Sequence, residues 1–419
     1  MRLSIKKTLG PGLLLAGAAI GVSHLVQATR AGADFGFALW WVILFACLTK
    51  YPFLEFGPRY AAATQSTLIS GYKKLGKAPY WIYVFITFGT MFIIQAAVTI
   101  VTAGLAEQLF RMGWSNFTWS AIILILCMFL LWFGRYKALD TSMKIIISIL
   151  SLGTLLAVIL AFSSGAASEV IKETPPSYFH IGALAFIVAL IGWMPIPIDA
   201  SVWHSIWVRE KSRQSGFEIN VREALFDFNT GYIIAAVLGF LFFFLGALIM
   251  FGSGTSFSGN SVTFSAQLVE LYGNTLGDWS KPLISIAAFT AMLSTTLAVT
   301  DAFPRVISHL YSLFPSDNML PSIKRKIVYN YALFFIPSLS IIILYFMSGS
   351  FTILVDFAAG LSFLSAPVLA WFNYKLVTGN DIPIEFQPGK KYRIFSVICL
   401  LGLSLFAVLY LYLRITAVL

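Results

Sequence analysis

Residues 191–201 read Ile-Gly-Trp-Met-Pro-Ile-Pro-Ile-Asp-Ala-Ser, and this stretch decides the fold. It sits in a long apolar run, which by length suits a membrane-spanning helix of roughly 20 residues. Yet Pro195 and Pro197 stand one residue apart near its middle. Each proline lacks the N–H that a helix requires, and its ring clashes with the carbonyl four residues earlier. The run therefore predicts a helix that stops and restarts at bilayer depth. Lipid offers no hydrogen bonds, so backbone freed there is tolerated only where it lines a cavity or meets a ligand.

The composition agrees with a membrane setting. Of 419 residues, 58% are hydrophobic and 11% charged, and the mean hydropathy is +0.84. Soluble domains carry about 25% charged residues, so lipid must solvate much of this exterior. Eleven spans are expected, at about 11–30, 37–62, 80–108, 117–133, 142–163, 181–205, 226–251, 282–302, 326–347, 351–374 and 394–416. The first carries basic residues ahead of it like a secretory leader, but runs on without a small-residue cleavage site and reads as a retained helix. With the N-terminus inside, most of the 28 basic residues fall in inner segments, whereas the outer ones hold only Arg30, Arg111, Lys172, Lys281 and Arg414. That bias puts the N-terminus in the cytoplasm and, for an odd span count, the C-terminus outside, the expected site being the plasma (inner) membrane. The net charge of +10 is thus a topology signal toward anionic lipid, not a nucleic-acid stripe. Cys47, Cys127 and Cys399 lie in apolar runs and read as small buried side chains.

A second irregular span is the first, where Gly21, Ser23 and His24 occupy the middle. Interruptions five spans apart are the pattern of transporters built from two inverted five-helix repeats. The expected organisation is one transmembrane domain over 1–419, with repeats at about 10–165 and 178–375 and an extra helix at about 392–417. The plainer alternative is a proline kink in the sixth span and a small-residue packing face in the first.

Several motifs resemble one family. Gly10-Pro-Gly opens the first span and Ala31-Gly-Ala closes it; Met194-Pro195, Arg222-Glu-Ala-Leu-Phe-Asp-Phe-Asn, Ser294-Thr-Thr and Leu361-Ser-Phe-Leu-Ser-Ala-Pro follow. Together they are similar to the Nramp family of proton-coupled divalent-metal transporters, over nearly the whole chain. The resemblance implies an all-α, LeuT-type fold of ten core helices plus one, with helices 1 and 6 unwound at mid-membrane. It implies a substrate site at Gly21, Ser23, His24, Ile191, Met194 and Ser365, in which His24 and Met194 are the metal ligands. The sequence departs from the family where chemistry is concentrated. The helix 1 Asp-Pro-Gly-Asn is Gly21-Val-Ser-His here, the histidine after Met-Pro is Ile196, and the helix 3 acidic pair aligns with Gln95 and Val98. Hard divalent ions prefer anionic oxygen ligands, so a softer ion such as Cu(I) or Zn²⁺ suits His24 and Met194 better.

Ionisable groups at bilayer depth are functional suspects. His24 can ligate, accept a proton or bond an organic solute. Asp199 follows the proline pair and either caps the restarted helix or faces the cavity as cation ligand or proton carrier. Ser294 and Thr295, at the position where this fold can hold sodium between helices 1 and 8, are coupling-ion candidates together with Asp199 and Asp301; small hydroxyl residues also simply pack helices. Lys50 and Glu55 read as a structural ion pair or as snorkelling side chains, and Trp203 and His204 as interfacial anchors. No phosphate loop, zinc-protease motif or nucleophile with a base is present, so neither an enzyme nor a cofactor is expected. The expectation is a secondary transporter of a small solute or divalent cation, coupled to protons or sodium. Its rivals are an organic-solute or amino-acid carrier on the same fold and a non-transporting receptor-like homologue.

Overall fold

In lipid an N–H must be satisfied within its own segment, so apolar runs of this length fold as helices. The computed structural model describes residues 10–133, 136–177, 181–314, 321–347 and 351–416, and among these there is no strand. The first expected span is divided. Helix α1 is Pro11–Ala19, with proline at its first turn, and a wide π-turn at Ser23–Ala28 leads into α2, Thr29–Phe35. There follow α3 (Trp40–Thr64), α4 (Leu68–Leu75), α5 (Lys77–Phe110), α6 (Asn116–Trp132), α7 (Tyr136–Ser163) and the short α8 (Ala166–Lys172). The sixth expected span is also two helices, α9 (Ile181–Trp193) and α10 (Ala200–Ser215). The rest comprises α11 (Val221–Ile249), α12 (Ser261–Leu276), α13 (Ser280–Ser312), α14 (Pro321–Met347), α15 (Phe351–Thr378) and α16 (Lys390–Thr416).

Each of the eleven expected spans overlies one of these elements, but they are not eleven uniform rods. Among the described residues seven stretches are long and apolar enough to cross a membrane, with shorter apolar helices at Asn116–Trp132, Ser148–Ser163 and Gly182–Trp193. Two of the differences have a physical origin: the first break leaves α1 short while residues 23–35 run on into the long Ser23–Thr64 stretch, and the sixth span is divided into α9 and α10. Arg2, Lys6, Lys7 and Arg135, which contribute to the orientation argument, lie outside the described residues, as do the expected repeat start at 178 and helix end at 417. Large apolar side chains such as Phe85, Leu405 and Phe346 point outward, as a lipid-facing surface requires.

Helix α11 holds both halves of the first span. A Cβ on Gly12 would stand 2.0 Å from the Asp227 carbonyl oxygen, and one on Gly246 would stand 2.1 Å from that of Thr29. Only glycine permits this approach, as in other close helix crossings in membranes. The Asp227 carboxylate accepts hydrogen bonds from the N–H groups of Gly10 (3.1 Å) and Gly12 (2.6 Å), satisfying orphan donors at the start of α1. At the other end, Arg30 pairs with Asp356 of α15 at 2.9 Å and lies over the Phe186 ring of α9. The first span is thereby fixed at both ends while it is interrupted between them.

Candidate functional site

The two interruptions face each other. In the first, regular bonding ends at Ile20 N–H to Ala16 O (2.8 Å); Gly21 then bonds back to Ala19 (2.7 Å), and the π-turn starts from the Gly21 carbonyl. In the second, residues 194–199 are non-helical until Ala200 and Ser201 bond to Pro197 and Ile198 (3.1 and 2.9 Å). Between them lies a cavity of about 30 Å³, room for a small ion with a water molecule. Ser23 and Val22 of the first break, Pro195 and Ile196 of the second, Val98 of α5 and Thr295 of α13 are among its walls.

The expected site residues divide around this cavity. Ser23 lines it, with its hydroxyl 2.8 Å from the Ala19 carbonyl and 3.2 Å from that of Pro195, so one side chain touches both breaks. Thr295 lines it too and donates to the carbonyl of Gly17 at 3.1 Å. Gly21 is needed here because a Cβ would meet the Thr295 hydroxyl at 2.6 Å. The first span and α13 thus touch directly at the position of the expected coupling ion. His24 is wholly buried outside the cavity walls. Its Nε2–H donates to the Ala235 carbonyl at 2.7 Å, and Nδ1 lies 2.8 Å from the Ser23 hydroxyl. Both ring nitrogens are therefore engaged, and the ring ties the π-turn to α11. The Met194 thioether packs against Gly239 of α11, near the same imidazole and also away from the cavity walls. Ile191 is buried, and the Ser365 hydroxyl donates to Ser362 O at 2.9 Å; neither borders the cavity.

Among the coupling candidates, Asp199 stands at the start of α10 without a side-chain cap bond to its first turn. It is buried, and its Oδ2 has no hydrogen-bond partner among the described residues. Asp301 is fully engaged, accepting from Arg305 Nε at 2.6 Å and from the Tyr329 hydroxyl at 2.7 Å. Ser294 is buried on α13 one residue before Thr295. Among the described residues no group of three or more His, Cys, Asp or Glu is placed to hold a metal.

The family described as Natural resistance-associated macrophage protein-like (Nramp) matches residues 12–413. An uncharacterized protein of Pasteurella multocida is 33% identical over 408 residues, covering 96% of this chain and 91% of its own length. The chain belongs to the Nramp family. It is accordingly an integral, multi-pass membrane protein and a secondary-active transporter, not an enzyme. Solved structures support the LeuT-type fold. The Eremococcus coleocola manganese transporter, in complex with an aromatic bis-isothiourea substituted compound, superposes with a TM-score of 0.68 at 15% identity, over 97% of this chain and 86% of its own. MhsT bound to L-phenylalanine superposes with a TM-score of 0.66 at 18% identity, over 94% and 98% respectively.

Two residues of this Nramp protein's centre escaped the sequence reading. Trp203 is not an interfacial anchor: it is buried, lines the cavity, and its indole N–H has no partner among the described residues. Lys50 does not pair with Glu55, whose carboxylate is bound by Arg59 at 2.5 Å; its amine reaches the second break instead. Chemistry-bearing residues near a break were visible in the sequence, but which break they approach was not.

Proposed function

We propose that the protein carries a divalent metal cation through the point where the two breaks meet, in a partly hydrated form. The observation that carries this reading is the size and wall of the cavity: about 30 Å³ between unwound segments, with the Ser23 hydroxyl reaching both. That volume has room for a small ion with a water molecule in this conformation. Half-helix ends and unwound carbonyls are the usual cation ligands in this architecture, and the partnerless Trp203 N–H suits a water oxygen carried by the ion. A grip by His24 and Met194 would instead require the imidazole to give up two hydrogen bonds and the thioether to leave Gly239. The solved relative named as a manganese transporter makes Mn²⁺ the first ion to try.

Without a carboxylate ligand the affinity is expected to be weak, with Kd on the order of 10⁻⁴ to 10⁻³ M. Of the coupling candidates Asp199 is the one with an oxygen unspoken for, and we assign it a transported proton. The cytoplasmic N-terminus, the plasma-membrane location and the paired repeats at about 10–165 and 178–375 belong to the same reading. The test is uptake into proteoliposomes containing a metal-sensitive fluorophore. Mn²⁺ or Zn²⁺ is expected to enter saturably, and Ser23→Ala to lower kcat/KM about tenfold, the loss of one direct contact to a charged guest. Failure of every divalent ion tried to enter, with amino acids entering instead, would replace the metal by an organic cargo.

A further inference from the structure

Lys50 lies inside α3 and is fully buried, and among the described residues no carboxylate is bonded to its amine. Its Nζ donates to the carbonyls of Gly192 (3.0 Å) and Ile196 (2.9 Å), which bracket the interruption between α9 and α10. Both carbonyls have lost their helical partners. The N–H that would close on Ile196 O belongs to Ala200, which bonds to Pro197 O at 3.1 Å. The one that would close on Gly192 O belongs to Ile196, in the non-helical segment. A half-helix ending in free carbonyls carries a partial negative charge, and such ends coordinate mobile cations in transporters with discontinuous helices.

We propose that Lys50 is a positioning residue whose ammonium serves as a built-in cation at the break between α9 and α10, holding the two carbonyls where an exchangeable monovalent ion would otherwise be required. The proposal concerns only the backbone of residues 192–199 and stands whatever the cargo is. Removing the side chain leaves a vacancy shaped for a small primary ammonium with N–H donors.

The test uses the full-length protein in detergent, with thermal unfolding followed by tryptophan fluorescence, to which Trp193 at the end of α9 contributes. Lys50→Ala is expected to lower Tm by several degrees. Methylammonium chloride should restore it in a concentration-dependent way, whereas tetramethylammonium chloride, which has no N–H, should not. Wild type should respond to neither salt. Lys50→Met fills the space without charge, and amide exchange over residues 196–200 is expected to be about tenfold faster in it than in wild type. Lys50→Ala that matches wild-type Tm, or that responds equally to both salts, overturns the proposal. If Lys50→Ala cannot be purified, unchanged exchange in Lys50→Met overturns it as well.

Discussion

Gly246→Val is expected to yield almost no monodisperse protein. The new Cβ would stand 2.1 Å from the Thr29 carbonyl oxygen and 3.1 Å from Ala33 N, both backbone atoms that no rotamer change can move. Relief requires α11 and α2 to separate along the contact that fixes helix 1, and overpacking of that kind costs about 3 kcal/mol or more. Gly239→Ala provides the contrast on the same helix. Its Cβ meets the end of Met194, at 2.6 Å from Cε and 3.0 Å from the sulfur, with His24 Nε2 in ordinary contact at 3.7 Å, and a flexible thioether can turn aside. Size-exclusion profiles and Tm values of the two variants check this directly. Equal recovery and equal Tm would mean that helix 1 is not held by α11 as described.

Asp199→Asn is expected to abolish the response of uptake to a proton gradient, reducing accumulation at least about tenfold, while downhill flux of the cation persists. The amide keeps the size of the carboxyl but cannot release a proton. Asp301→Asn should behave differently. Asp301 already binds Arg305 and Tyr329, so its loss should lower stability with the gradient response intact. Uptake by Asp199→Asn that still follows the imposed pH difference would remove Asp199 from the coupling step.

These contrasts show where a sequence speaks plainly and where it does not. The break at Pro195 and Pro197 was legible because a missing N–H is a property of the residue itself. The one at Gly21 was legible only from its pairing with the other, since glycine in a membrane helix serves packing as often as unwinding. The structure shows Gly21 serving both, beside Thr295. His24 looked like a ligand because an imidazole at depth must be satisfied by something; the sequence does not say that Ala235, 211 residues away, supplies the acceptor. Lys50 looked like half of a local ion pair, yet its partners are 142 and 146 residues distant. Local chemistry was visible; the long-range contacts that assign it were not.

Cargo is expected to rest in the small cavity where the two interruptions meet. Diffraction from crystals grown with Mn²⁺ and collected at an energy giving anomalous scattering from manganese tests this most directly. One difference peak is expected, bounded by Ser23, Pro195 and Thr295, with His24 still bonded to Ala235. A peak instead between the His24 ring and the Met194 sulfur, with that bond broken, would contradict it.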